Sequence, residues 1–172
     1  MTHAQSIPNS AKRAARPAFT LVEAVLAMLV VALMLVAALN AVSAARAAEL
    51  AFADRTRGAM LAQALLDEVL SRAYDDPEES DAPLGPDDGE TTRAKFNDVD
   101  DYANWTESPP QNLDGTGITD LAGWTRSVVV ERVDGANPSG PAAGAETGLK
   151  RVTVTVRRGA RTVAQLTALA AN

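Results

Sequence analysis

The sequence predicts an α+β fold in which a long N-terminal helix packs against a small C-terminal antiparallel sheet. Three observations predict it. No proline occurs between Pro17 and Pro77, and the residues between them are rich in Ala, Leu, Arg and Glu, all strong helix formers. Residues 24–39 carry no polar side chain. Near the other end, Val152, Val154 and Val156 alternate with Thr153 and Thr155, the period-2 pattern of a half-buried strand.

Residues 1–18 come first and contribute Lys12, Arg13 and Arg16 without an acid. The whole chain of 172 residues has 16 basic and 22 acidic groups, so residues 19–172 hold 13 against 22, a net charge of −9. A body of that sign repels nucleic-acid phosphates, and nucleic-acid binding is disfavoured. The chain has no cysteine, which excludes disulfides, thiolate metal sites and thiol nucleophiles. Its single histidine is His3. If the front of the chain is removed, neither a Ser-His-Asp triad nor a His-ligated zinc site can be built. No glycine-rich phosphate loop follows a strand, and no acid pair has a hydrolytic setting. The sequence reads as a non-enzyme.

From Ala24 to Ala45 no charge appears. Those residues as a helix rise about 33 Å, against a hydrocarbon core of about 30 Å. Three positive charges precede the run, so the positive-inside rule keeps residues 1–18 cytoplasmic and exports the remainder of the chain. The run has three readings: a secretory signal peptide cut near Ala45-Arg46-Ala47, an uncleaved signal anchor, or a helix that packs with others. The third turns on Glu23. A carboxylate in an apolar helix costs roughly 2.5–3.5 kcal/mol at the bilayer centre and less near its edge. A simple anchor gains nothing from it, whereas a packed assembly that supplies a positive partner does.

Ala18-Phe19-Thr20-Leu21-Val22-Glu23 and the apolar helix behind it resemble the N-terminal signature of type IV pilins and type II secretion pseudopilins. The resemblance implies cleavage by a prepilin peptidase between Ala18 and Phe19, and methylation of the new terminus. It also implies pairing of Glu23 with the N-terminal amine of a neighbouring subunit. The family usually has glycine where this chain has Ala18. The implied partners are other pilin or pseudopilin subunits, the prepilin peptidase, an inner-membrane assembly platform and the membrane itself. The implied location is the bacterial inner membrane, with the C-terminal domain periplasmic, and then a filament or the cell surface.

After the membrane stretch the pattern becomes amphipathic. Leu61, Leu65 and Val69 recur at four-residue spacing beside Leu66, Leu70 and Ala73, with Asp54, Arg55, Arg57, Asp67 and Arg72 largely opposite. One helix is expected from Thr20 to Tyr74, residues 46–74 forming its amphipathic second half. Asp75-Asp76-Pro77 is its expected stop. Residues 75–124 read as acidic and irregular, with Tyr102, Trp105 and Trp124 as packing anchors and turns at Pro109-Pro110 and Asp114-Gly115. Residues 125–172 read as a three-stranded antiparallel sheet over 125–133, 151–157 and 161–169, with a tight turn at Arg158-Gly159.

This arrangement matches the helix-and-sheet layout of pilins. The segments Leu61 to Leu70, Phe96 to Tyr102 and Leu149 to Val156 resemble minor pilins of the mannose-sensitive haemagglutinin pilus, D type, and the I-type pseudopilins.

Two charged clusters remain. Asp98, Asp100 and Asp101 beside Asn97 carry the oxygen ligands that calcium takes, and some pseudopilins bind calcium in their globular part. The spacing is not that of an EF-hand, so a solvated acidic loop is the expected state and no cofactor is assigned. Arg157, Arg158 and Arg161 crowd one hairpin and are expected to form a charged turn guarding the sheet edge.

Overall fold

The computed structural model describes residues 19–76 and 83–172. The leader with Ala18, and the stretch from Pro77 to Ala82 within the expected acidic loop, lie outside the described residues. The fold is α+β: one long N-terminal helix and one four-stranded antiparallel sheet. The chain divides into two compact units, residues 1–47 and 48–172. The helix α1, Leu21–Leu70, contributes to both.

In the first unit the described chain is helix from Leu21 onward, opened by Thr20. Thr20 Oγ1 accepts the Glu23 backbone N–H at 3.2 Å, and its carbonyl accepts the first helical bond from Ala24 N at 3.1 Å. This is an N-cap, worth about 1 kcal/mol to a helix start. The apolar side chains after it, among them Val25, Leu26, Leu29 and Leu33, are exposed within the chain. By length and composition this is a helix able to cross a membrane.

In the second unit the helical residues bury one stripe, Gly58, Ala62, Leu65, Leu66 and Val69, spaced at three and four as a helix face requires. The strands are β1 (Thr106–Glu107), β2 (Trp124–Arg132), β3 (Leu149–Arg158) and β4 (Arg161–Ala171), neighbouring one another in that order. Val128, Val130, Val152, Val154 and Val156 point inward and form one core with the helix stripe, Phe96, Tyr102, Leu121 and Trp124. The face expected for the valines is the one observed. The Arg158-Gly159 turn is also present: Arg158 pairs with Arg161 across Gly159 and Ala160, and Gly159 takes φ +56, the left-handed value that two-residue hairpins favour.

At Gly58 the helix backbone comes close to strand β4. A Cβ built there would stand 2.7 Å from Val163 Cγ2, closer than packed carbons tolerate. The residue that interrupts the helix-forming run therefore lets backbone approach strand β4.

Three expectations need correction. The helix ends at Leu70, not Tyr74. Ser71 N bonds the Asp67 and Glu68 carbonyls, and Arg72 N bonds that of Val69. Ala73 then exchanges backbone bonds with the 97–99 segment, Ala73 N to Asn97 O and Val99 N to Ala73 O at 3.0 Å. A long-range pairing thus takes the backbone groups that a further helical turn would need. The sheet has four strands, not three, because Thr106–Glu107 within the supposedly irregular region pairs with Arg126 and Ser127. Trp124, assigned to that same region, opens β2.

Candidate functional site

The N-terminal signature residues fall on one helical start. Phe19 is 73% exposed, and with Glu23, Leu26, Ala27, Val30 and Val31 it lines a shallow apolar face. The Glu23 carboxylate is exposed, and among the described residues no cation lies within ion-pair distance of it. Thr20 and Glu23 stand three apart, the spacing of a capping box, of which the bond from Glu23 N to Thr20 is present. An acid in the first turn also suits the helix dipole. Both facts place a carboxylate at a helix N-terminus for local reasons. Neither accounts for a charge without a cationic partner among the described residues at the head of a helix that is uncharged from Ala24 to Ala45.

The second unit holds several of its charges inside. Asp98, Asp100 and Asp101 are buried, contrary to the expected solvated loop. They shape a short 3-10 turn, Asp100–Tyr102. Asp101 Oδ2 accepts the backbone N–H groups of Asn97 at 2.8 Å and Asp98 at 3.1 Å, while Asp98 Oδ1 accepts that of Asp101 at 3.0 Å. Two of the three carboxylates offered to calcium, Asp98 and Asp101, are thus engaged by the chain's own amides. Among the described residues no group of three or more His, Cys, Asp or Glu side chains is arranged to hold a metal ion. Burial pushes Asp98 up to about 6, with the charges of Asp101 and Asp100 adding to it against the pull of the backbone bonds. Burial, a side-chain bond with Asp101 and the Asp101 charge push Glu90 up to about 7.

Asp100 faces Lys150, whose side chain has no solvent exposure. Lys150 Nζ lies 2.8 Å from Asp100 Oδ1 and 3.1 Å from Asp75 Oδ1, and it donates to the Tyr74 carbonyl at 2.5 Å. It also sits 4.0 Å from the Tyr74 ring centroid. The Asp100 contact is an ion pair without an aligned hydrogen bond, since that oxygen has no hydrogen-bond partner. Burial accordingly keeps the Asp100 carboxyl above its ordinary range despite the Lys150 and Arg132 charges. Alongside, Tyr74 OH donates to Glu146 Oε1 at 2.6 Å and Arg132 Nε donates to Glu146 Oε2 at 3.0 Å. Burial raises Glu146, but the bonds from Tyr74, Gly148 and Thr147 outweigh it and hold the carboxyl low.

A second buried network crosses from helix to sheet. Arg93 Nε stands 3.2 Å from Glu68 Oε1, Tyr102 OH donates to that same oxygen at 2.8 Å, and Glu107 pairs with both Arg93 and Arg126. The two guanidinium groups converge on the Gln111 carbonyl, at 2.7 Å from Arg93 and 2.6 Å from Arg126. Arg93 also stacks over Trp105 at 5.1 Å. Tyr102 meets Phe96 edge-to-face at 5.0 Å, so the aromatic residues serve as packing anchors.

The arginine hairpin is a clamp and not a bare edge guard. Arg158 Nη1 donates to Asp54 Oδ1 at 2.5 Å, Arg161 Nη2 reaches Asp54 Oδ2 at 3.3 Å, and Arg157 turns back to the Ala160 carbonyl at 2.8 Å.

Sequence reasoning missed Lys150 and Arg126 as buried groups, although the signal was there. Lys150 shares the phase of Val152, Val154 and Val156, and Arg126 that of Val128 and Val130. Extending the period by one step in each strand places both inside.

No protein-family model, curated protein or solved structure matches the chain.

Proposed function

We propose that this chain is a minor pilin or pseudopilin, a structural subunit that enters a filament of the type IV pilus or type II secretion kind through its N-terminal helix. In this reading residues 1–18 stay cytoplasmic and are removed by a prepilin peptidase at Ala18–Phe19. The apolar helix holds the subunit in the inner membrane and then packs in the filament. Glu23 is neutralised by the N-terminal amine of a neighbour, and that pairing selects the register in which subunits add. The second unit presents a folded head.

The observation that carries the reading is the exposed Glu23 carboxylate, without a cationic partner among the described residues, heading a helix with no charge from Ala24 to Ala45. A membrane anchor alone has no use for that carboxylate. A helix–helix assembly that brings an amine to it does, because the pair is desolvated together.

The test is the N-terminal peptide of the protein recovered from its native membranes, read by mass spectrometry. A methylated Phe19 terminus is expected. A terminus near Ala48 overturns the filament reading and makes the protein a module released by an ordinary signal peptidase. Retention of residues 1–18 makes it a signal-anchored membrane protein. The variant Glu23→Ala is expected to be cleaved normally and to fail in assembly; normal incorporation of it removes the pairing role.

A further inference from the structure

The two edges of the sheet are built on opposite principles. At one edge β1 is two residues long, carries the inward-pointing Glu107 and runs into Pro109 and Pro110, all devices that block the addition of another strand. At the other edge β4 is 11 residues long, and from Thr162 to Ala171 it contains no charge and no proline. Its ladder bonds go to β3, so one row of main-chain N–H and C=O groups along it faces away from the sheet. The only charge on the strand, Arg161, is engaged by Asp54 at the hairpin end.

The core is also unfinished there. Ala164, Leu166, Ala168 and Ala170 point to the inner face, pack against the core and remain half-buried. They are mostly small, leaving room for larger side chains alongside. At the far end of the strand, Ala170 and Ala171 meet Leu70, Arg72 and Tyr74 around an open cavity of about 300 Å³. Among the described residues Arg72 is the only charged one lining it. Its Nε is buried without a hydrogen-bond partner, and among the described residues no carboxylate lies within ion-pair distance of it.

We infer that the free edge of β4 receives an extended segment of a partner polypeptide, which adds a fifth strand, lays apolar side chains over the Ala164–Ala170 row and brings a carboxylate to Arg72. Main-chain hydrogen bonds supply the pairing, alternate side chains supply the apolar contact, and Arg72 sets the register. A partner strand with a charge in its middle would bury that charge against the alanine row and is rejected. The inference concerns the second unit alone and does not depend on how the N-terminus is processed.

The test uses the full chain in detergent and a fluorescent octapeptide of alternating threonine and valine ending in glutamate. Fluorescence anisotropy reports binding. The peptide is expected to bind, and a copy N-methylated at alternate residues, which cannot complete a ladder, is expected to bind at least tenfold more weakly. Ala168→Lys, an inward charge on the edge, is expected to weaken binding about tenfold or more while leaving the thermal midpoint within a few degrees. Arg72→Gln is expected to weaken the glutamate peptide about tenfold and leave a glutamine-ended peptide unchanged. Absence of binding, or equal binding of the N-methylated peptide, overturns the inference without relying on any variant. The chain's lack of cysteine gives a further arm: if Thr167→Cys yields disulfide-linked dimers that the peptide does not compete away, the edge belongs to a second copy of this chain and the partner assignment falls.

Discussion

Lys150 Nζ and Asp100 Oδ1 stand 2.8 Å apart, and the lysine side chain has no solvent exposure at all. Around the same ammonium lie Asp75 and the carbonyl and ring of Tyr74. One buried cation therefore ties strand β3 to the 3-10 turn and to the chain just past the helix.

Breaking such a buried pair from one side leaves an uncompensated charge, which costs about 3–5 kcal/mol. Lys150→Met is expected to lose that much in urea unfolding of the detergent-solubilised chain followed by circular dichroism. Asp54→Ala is expected to cost less than about 1 kcal/mol, although its bond to Arg158 is shorter, because Arg158 and Arg161 are more than half exposed. Equal losses for the two variants would show that Lys150 is not sealed from water.

Glu107 is the shared partner of two buried guanidinium groups. Glu107→Gln keeps the shape and removes the charge, leaving Arg93 with Glu68 as its carboxylate and Arg126 with neutral acceptors alone. The expected loss is about 3 kcal/mol and nearly independent of added salt, since a buried pair is little screened. A loss that vanishes in molar salt would place this network at the surface.

Gly58→Ala gains about 1 kcal/mol of helix propensity but drives a methyl to 2.7 Å from Val163 Cγ2. Overpacking of this kind costs about 1–3 kcal/mol, so net destabilisation is expected. Combining it with Val163→Ala should restore part of the loss, a coupling that a double-mutant cycle measures directly. Additive effects would mean the helix and β4 can move apart freely.

The pH dependence follows from opposed carboxyls. Glu90 and Asp98 have folded values raised to about 7 and about 6, so the folded state holds their protons more tightly than the unfolded chain does. Stability is then lost as pH rises from about 4 to about 7. Glu146 is lowered, so its contribution is present at higher pH and is lost as pH falls through its ordinary range. The thermal midpoint should peak near about pH 4 and fall on both sides. Asp98→Asn retains an oxygen for the Asp101 amide and cannot ionise, so it should flatten the alkaline side. An unchanged slope between about pH 4 and pH 6 in that variant would remove Asp98 as its source.

The sequence by itself determined the elements that rest on local periodicity. The charge-free helix, its amphipathic continuation, the alternating valines of β3 and the Arg158-Gly159 turn are each written in a few neighbouring residues, because backbone geometry has short periods. Tertiary structure decided everything that depends on a distant partner. The helix stops at Leu70 because the 97–99 segment claims Ala73, and β1 exists because β2 lies beside it. Asp98, Asp100 and Asp101 read as a solvated or metal-binding loop when only their spacing is seen. In the fold they are buried, two of them capping a turn and one facing a lysine far along the chain. A charge pattern shows which groups must find compensation, and only the packed chain shows which groups provide it.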